Sequence, residues 1–439
     1  MTHISQQNDT ASYSSAFNAF LPDRVTEPQW LNSIRRDAFS LFQTEGFPSR
    51  NNEEWRFTPL NQVKETGYSR PEPVEHPSLE AIESLTGYSK TGPQLVFING
   101  VYAPELSRNA IQTKGVQIGS ISELLQSNDE ILQPHLAQLA SQTATPFVSL
   151  HNSFMEDGAA VILDANTQLS EPVTILYVTH SEQPIFMVPH TLVVAGRSSH
   201  ASVVEVFAST MGANYFSIPV TEFAIGENSD IRHVRLNMEA SNAAHISYTH
   251  AEIQRDAIFA SHNVCLGGEL TRNDFYAGLR GENIHCTLNG VYLGSGKQII
   301  DNHTSIDHAM PHCESHELYK GILDGESQGV FNGKIFVRLD AQKTDAKQTS
   351  QVVLLSDLAR VNSKPQLEIF ADDVKCTHGA TIGQISKEAL FYLRSRGLSK
   401  TDAMAMLIQA FVADVIVRIP ISELADDLNA MLPELLERK

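Results

Sequence analysis

Cys376 and His378 stand two residues apart in the segment Leu367-Glu-Ile-Phe-Ala-Asp-Asp-Val-Lys-Cys-Thr-His-Gly-Ala-Thr381, with Val374 two residues before them. Side chains of an extended strand alternate between faces, so a strand here aims the thiol and the imidazole the same way. A soft thiolate beside an imidazole can hold a transition metal. Tetrahedral zinc, or an iron of an iron–sulfur cluster, takes about four ligands, and two are missing from the neighbourhood. Spacing alone therefore favours the plainer reading, in which Cys376 is a small buried hydrophobe like most free cysteines.

Asp301-Asn-His-Thr-Ser-Ile-Asp-His-Ala-Met-Pro-His-Cys-Glu-Ser-His-Glu317 carries His303, His308, His312 and His316 together with Cys313. Its spacing matches no zinc motif, since Lys320 occupies the position where a His-Glu-x-x-His pattern starting at His316 needs a histidine. Histidines at strand corners more often bond backbone or one another, so a structural role is expected. Gly294-Ser-Gly-Lys297 resembles a phosphate loop only in part: Val291 stands where the first glycine is needed, and Gln298 replaces the magnesium-binding hydroxyl. His250-Ala-Glu252 lacks the Pro-Cys-x-x-Cys of a zinc deaminase. Adjacent carboxylates such as Asp372-Asp373 face apart on a strand.

The 439 residues exceed what one core accommodates, so two or three structural units are expected. A hydrophobic fraction of 42% and a charged fraction of 19% describe a folded, soluble chain. The 32 basic against 51 acidic residues leave a net charge of -19, which disfavours nucleic acid and anionic membrane as partners. No apolar run reaches the ~18 residues of a spanning helix; Gln409 and Asp414 interrupt the longest candidate, Ala403 to Val417. The N-terminus has neither the basic start nor the apolar stretch of a secretory signal, so a cytoplasmic location is expected. Cys265, Cys286, Cys313 and Cys376 form no Cys-x-x-Cys pair and are too few for a disulfide scaffold.

The elements that must position these residues fall into three regions. Residues 1–146 read as a helical domain with small β elements: a mobile first segment, then a helix from a capping box at Thr26 and Gln29 to Gly46. Val96-Phe-Ile-Asn-Gly-Val-Tyr102 within that region is a hairpin. Residues 147–385 are short apolar strands separated by Gly, Asn, Ser and Asp, with related turns at Gly226-Glu-Asn, Gly281-Glu-Asn and Gly325-Glu-Ser that follow no fixed period. Such a region is a large sandwich, a barrel or a β-solenoid, and periodicity does not choose. Residues 386–439 are helical again, with caps at Ser386 and Ser399, a stop at Gly397 and a third helix that Pro433 is placed to shorten.

Several segments taken together resemble the SufB/SufD family, the scaffold subunits of the SUF iron–sulfur cluster assembly machinery, over most of the chain. They are Pro48-Ser-Arg-Asn-Asn-Glu-Glu-Trp-Arg-Phe-Thr58, Thr287-Leu-Asn-Gly-Val-Tyr292, Asp301-Asn-His-Thr304, Gly329-Val-Phe-Asn-Gly-Lys334, Gln342-Lys-Thr-Asp-Ala-Lys-Gln348, Lys364 to Gln384, and Leu390-Phe-Tyr-Leu-Arg-Ser-Arg-Gly397. Phe57 replaces the family's usual Tyr, and Asn51-Asn52 its usual charged pair. The Trp-Arg signature with Cys-Thr-His-Gly points to the D-type branch. The resemblance implies a mainly β fold: a right-handed parallel β-helix between N- and C-terminal helical domains. It implies a non-catalytic scaffold, a paralogous SufB-type partner, and a SufC-type ABC ATPase docked on the C-terminal helices. A homodimer is implied when the chain is alone. It also implies no stably bound cofactor in isolation and a transient iron–sulfur cluster where two β-helix subunits meet. His378 lies at that place, which reverses the weighing for it; Cys376 stays evenly divided between ligand and interface lining. The alternative from another class is a β-helix carbohydrate-active enzyme, which needs clustered carboxylates in a groove. An aromatic content of only 8% and the helical C-terminal module weigh against it.

Overall fold

The computed structural model describes residues 10–86, 92–108, 113–143, 145–212 and 214–437. From Gly158 onward the chain winds back and forth between two sheets, strictly alternating from Ala244, and strands pair in parallel with those one turn further along. Thus Glu314–Leu323 pairs with Asp345–Leu354, and Asp345–Leu354 with Lys375–Gly383. The opposite sheet runs through Ile299–His308, Gln328–Val337 and Arg360–Ile369. The result is a parallel β-solenoid of about eight turns with helices at both ends of the chain, one of the three architectures that periodicity had left open.

The repeat hidden from the sequence lies at one corner. Asn166, Ser198, Asn228, Asp256, Asn283, His312 and Lys343 all adopt positive φ, at intervals of about 30 residues. Each backbone N–H bonds to a carbonyl of the next turn's corner, as in Asn228 N to Arg255 O (2.9 Å) and Asp256 N to Glu282 O (2.9 Å). Short polar side chains tolerate this left-handed conformation, and several stack: Asn228 Nδ2 donates to Ser198 Oγ, and Asn283 Nδ2 to Asp256 Oδ1, both at 3.0 Å. Gly226-Glu-Asn228 and Gly281-Glu-Asn283 share this period, two turns apart, whereas Gly325-Glu-Ser327 lies where the chain crosses back to the other sheet. Corner lengths that vary by a residue or two, and changing residue types, conceal the period.

At the N-terminal end the sheets close with short antiparallel strands. Gln94–Ile98 pairs in parallel with Val173–Thr179 and turns back through Asn99 (φ 52) and Gly100 (φ 84) onto Val101–Tyr102. Two positive φ values in a two-residue loop are the turn expected from Asn-Gly. Val116–Ser120 pairs antiparallel with Gly158–Leu163 and ends the other sheet. Among the described residues nothing similar closes the C-terminal end: Arg360–Ile369 and Lys375–Gly383 are the last strands of their sheets.

Helices cover the outer faces, as parallel sheets require. Ala11–Phe20, Gln29–Glu45 and Pro146–Phe154 build an aromatic cluster in which Phe17 stacks on Phe39 (4.0 Å) and packs edge-on against Phe154. The first of these helices lies in the region expected to be a mobile tail; the rest of that expectation, residues 1–9, lies outside the described residues. The Thr26 capping box does not form. Pro28, at φ -55, is the residue before the second helix, and Thr26 stands outside it. At the other end of the chain, Ser386 and Ser399 cap their helices as expected, accepting from Ala389 N and Asp402 N. Gly397 ends the first of these at φ 96. Helix Lys400–Ile416 packs Ile408, Val412 and Val415 against Val264, Val291, Leu293 and Ile322 on the outer face of the ten-stranded sheet. Lys320, on that sheet, donates to Phe411 O (2.8 Å) and pairs with Asp414 (2.7 Å). The last helix, Ser422–Glu437, runs through Pro433 rather than stopping there. No described helix is long and apolar enough to cross a membrane.

Candidate functional site

Strand Lys375–Gly383 carries Cys376 and His378. Its register sets Cys376 beside Ala346 and His378 beside Gln348. Ala346, Gln348, Ser350 and Val352 are the buried, inward side chains of Asp345–Leu354, so Cys376 and His378 both face the solenoid interior. The alternation expected from sequence therefore holds. Cys376 is half-buried against Ala346, Ile335, Val337 and Val374, and burial raises its thiol pKa. His378 is exposed because no further turn covers it. Among the inward-facing residues of this last turn, Ile369 is 40% exposed and Ile382 51%. Two unpaired strand edges of this length, bearing exposed hydrophobics, form a template for adding another chain. Among the described residues, no group of three or more His, Cys, Asp or Glu stands together as a metal site.

The histidine-rich stretch is dispersed by strand parity. His308 faces inward, bonds to Ser315 Oγ (2.8 Å), and is pushed down to about 4 by burial. His312 occupies a left-handed corner, and His316 points to solvent. His303 faces outward beneath the signature segment Pro48–Thr58. There its Nε2 meets Asp301 (2.9 Å) and its Nδ1 meets Glu54 (3.1 Å). Arg272 bonds to Asp301 (3.0 Å) and Asp274 (2.8 Å) while its guanidinium lies 3.8 Å over the Trp55 ring. Thr58 also donates to Asp301, and Asn332 to Glu54 (2.8 Å). Burial and Arg272 both push the His303 pKa down, but Asp301 and Glu54 more than offset them and lift it to about 9. Burial pushes Asp301 up, yet His303 and Arg272 bring it down to about 2. This cluster is a clamp holding the signature segment to the solenoid. The other motifs are structural as well. Gly294–Lys297 is a turn at whose end the Gln298 side chain accepts from Ser295 N (2.9 Å), and His250 bonds Glu252 (3.0 Å), itself held by Arg280 (2.7 Å).

Sequence reasoning missed the polar interior. Glu205 is fully buried inside the solenoid and bonded by His233 (2.8 Å), Arg235 (2.8 Å), Thr191 (2.6 Å) and Thr221 (2.9 Å). Burial pushes it up, but Arg235 and His233 bring it well below the usual carboxylate range. Nearer the open end, Glu317 and Gln348 bond inside the solenoid. The available signal was parity, since Ser315, Glu317 and Tyr319 alternate with outward His316 and Leu318.

Fold and site define a class of protein: a parallel β-solenoid with both faces covered by helices and a Cys–His pair presented at an unfinished end. Residues 177–411 match the family model described as "SUF system FeS cluster assembly, SufBD core domain", and residues 23–175 match that of the "SufBD protein N-terminal region". The chain belongs to the SufBD family of the SUF system. It is 32% identical to an iron–sulfur cluster assembly SufBD family protein of Synechocystis sp., over 92% of this chain and 91% of that one. It is similar to the iron–sulfur cluster assembly protein SufD of Escherichia coli, with 31% identity over 84% and 85% of the two chains. It is also similar to SufD of Bacillus subtilis, with 26% identity over 95% of each. Family membership sets aside the carbohydrate-active alternative.

Proposed function

We propose that this chain is a non-catalytic scaffold subunit that pairs with a SufB-type paralogue through the open end of its solenoid. A nascent iron–sulfur cluster forms at that junction as cargo, with His378 and Cys376 supplying ligands from this side. The observation that carries the reading is the last turn, where two long strands, each with one free edge, expose apolar side chains and aim an imidazole and a thiol inward. Two donors are half of what an iron site takes, so a partner that continues both sheets also supplies the missing ligands. An imidazole is the weaker and more readily released of the two ligands, which suits a cluster that must be handed on. In the absence of the paralogue, a second copy of the chain covers the same edges. A SufC-type ATPase docks on the C-terminal helices, where helix Lys387–Ser395 buries no side chain and leaves Phe391 75% and Tyr392 56% exposed.

His378→Ala tests the site. An exposed side chain on an edge costs less than about 1–2 kcal/mol, so folding and subunit association persist while cluster formation on the complex falls sharply. If the altered complex assembles and builds clusters at the unmodified rate, the assignment is wrong. Phe391→Ala with Tyr392→Ala tests docking by pull-down of the ATPase; undiminished binding refutes that surface.

A further inference from the structure

Three successive strands of one sheet place Glu317, Gln348 and His378 in a single inward file, Glu317 paired in register with Gln348 and Gln348 with His378. Neighbouring rungs lie about 4.8 Å apart, so Glu317 sits roughly 10 Å behind His378. Both inner residues are buried, and Gln348 Nε2 donates to Glu317 Oε2 at 2.7 Å. Gly333 on the facing sheet makes room for that amide, which a Cβ there would strike. The second carboxyl oxygen has no partner at ordinary hydrogen-bond geometry, and Thr304 is the side chain that bears on it. Gln348 Oε1, Ser350 Oγ and Ser363 Oγ, closer to the open end, also lack protein partners. Buried polar atoms without a protein partner call for an explanation, such as a functional role or a bound water or ion.

Cys286 and Tyr319 are the titratable groups packed around Glu317, and burial raises both, so each stays neutral near pH 7. The interior cation Arg235 is held by Glu205. Burial, only partly offset by Thr304 and Gln348, lifts Glu317 to about 7. A carboxyl left to itself in this interior is therefore half ionised at neutrality, unlike Glu205, which its cations keep charged. The Gln348 amide suits both forms: its NH2 donates to the carboxylate, and after rotation its carbonyl accepts from the acid.

Resting on the reading of the open end as the cluster site, we propose that Glu317, reached past Gln348, holds the proton set free when a cluster is built there. Sulfide arrives at neutral pH as hydrosulfide and must lose its proton to bridge iron. The S–H bond breaks, its electron pair stays on the sulfur that binds iron, and the proton forms the O–H of the Glu317 carboxyl. The negative charge gained at the site is thus matched by one lost inside the solenoid, and no redox step is involved. Glu317 touches neither iron nor sulfide and acts as a positioning residue for the proton.

The test uses the complex with the partner subunit, loaded with ferrous ion and sulfide at pH 7 and followed by difference infrared spectroscopy. Loading is expected to convert the ionised fraction of one carboxylate into protonated carboxyl, and this band is expected to vanish in Glu317→Gln. The unmodified assembly rate should rise about tenfold from pH 6 to pH 8, as the base ionises, and by less than twofold in the variant. Gln348→Leu, which keeps the carboxyl but severs it from the open end, should lose the band too. A band that persists in Glu317→Gln, or an unchanged pH profile, overturns the proposal. His378→Ala and Cys376→Ser separate it from the site reading. If these build clusters at the unmodified rate, the site reading fails; the Glu317 band in the unmodified complex then still upholds the proton role, and its absence removes it.

Discussion

Replacing His303 by Gln removes the cation at the centre of the clamp while keeping a polar side chain of similar size. In the fold, Asp301 and Glu54 outweigh burial and Arg272 and lift His303 from 6.5 to about 9. Each tenfold gain in proton affinity is worth about 1.4 kcal/mol, so the protonated ring contributes roughly 3 kcal/mol. The depressed pKa of Asp301 expresses the same attraction from its other side and is not added. Because the folded pKa lies above the unfolded one, this stabilisation is complete below pH 6.5 and lost as pH rises through 9. Urea unfolding at pH 6, 8 and 10 measures it, with Trp55 fluorescence reporting release of the signature segment from Arg272. The unmodified protein should exceed His303→Gln by about 3 kcal/mol at pH 6 and by less than about 1 kcal/mol at pH 10. A difference that stays constant across the three pH values would refute the charged clamp.

Lys320→Met removes the donor to Phe411 O and the partner of Asp414, and should loosen helix Lys400–Ile416 by about 1–3 kcal/mol. Hydrogen exchange should quicken across that helix and stay unchanged in strands Asp345–Leu354 and Lys375–Gly383; uniform quickening would contradict a local anchor. Gly333→Ala drives a methyl into the Gln348 amide and should cost about 1–3 kcal/mol in thermal or urea unfolding. Adding Gln348→Ala should recover much of that loss, and a purely additive double variant would show that the crowding lies elsewhere.

The parts of this molecule legible in its sequence are those governed by neighbours a few residues away. Asn99-Gly100 specified a hairpin because few other pairs accept two positive φ values in succession. Ser386 and Ser399 specified helix starts because a hydroxyl there can reach a backbone N–H three residues on. Alternation put Cys376 and His378 on one face. Where a local signal failed, a competing local choice prevailed: Pro28 displaced Thr26 at the start of its helix, and Pro433 was accommodated within one.

Family motifs, rather than periodicity, led from the strand-rich region to a solenoid, because parallel pairing joins residues about 30 apart and corners of unequal length blur the repeat. Sequence by itself determined which residues alternate, turn and cap. Tertiary structure decided which parity faces inward, and so made Glu317 a buried carboxyl while leaving His316 in solvent. It also decided that the turn bearing Cys376 and His378 comes last, with no strand beyond it among the described residues. A side chain's face is set by the two-residue repeat of its own strand, whereas its burial and the vacancy beside it depend on strands a full turn away.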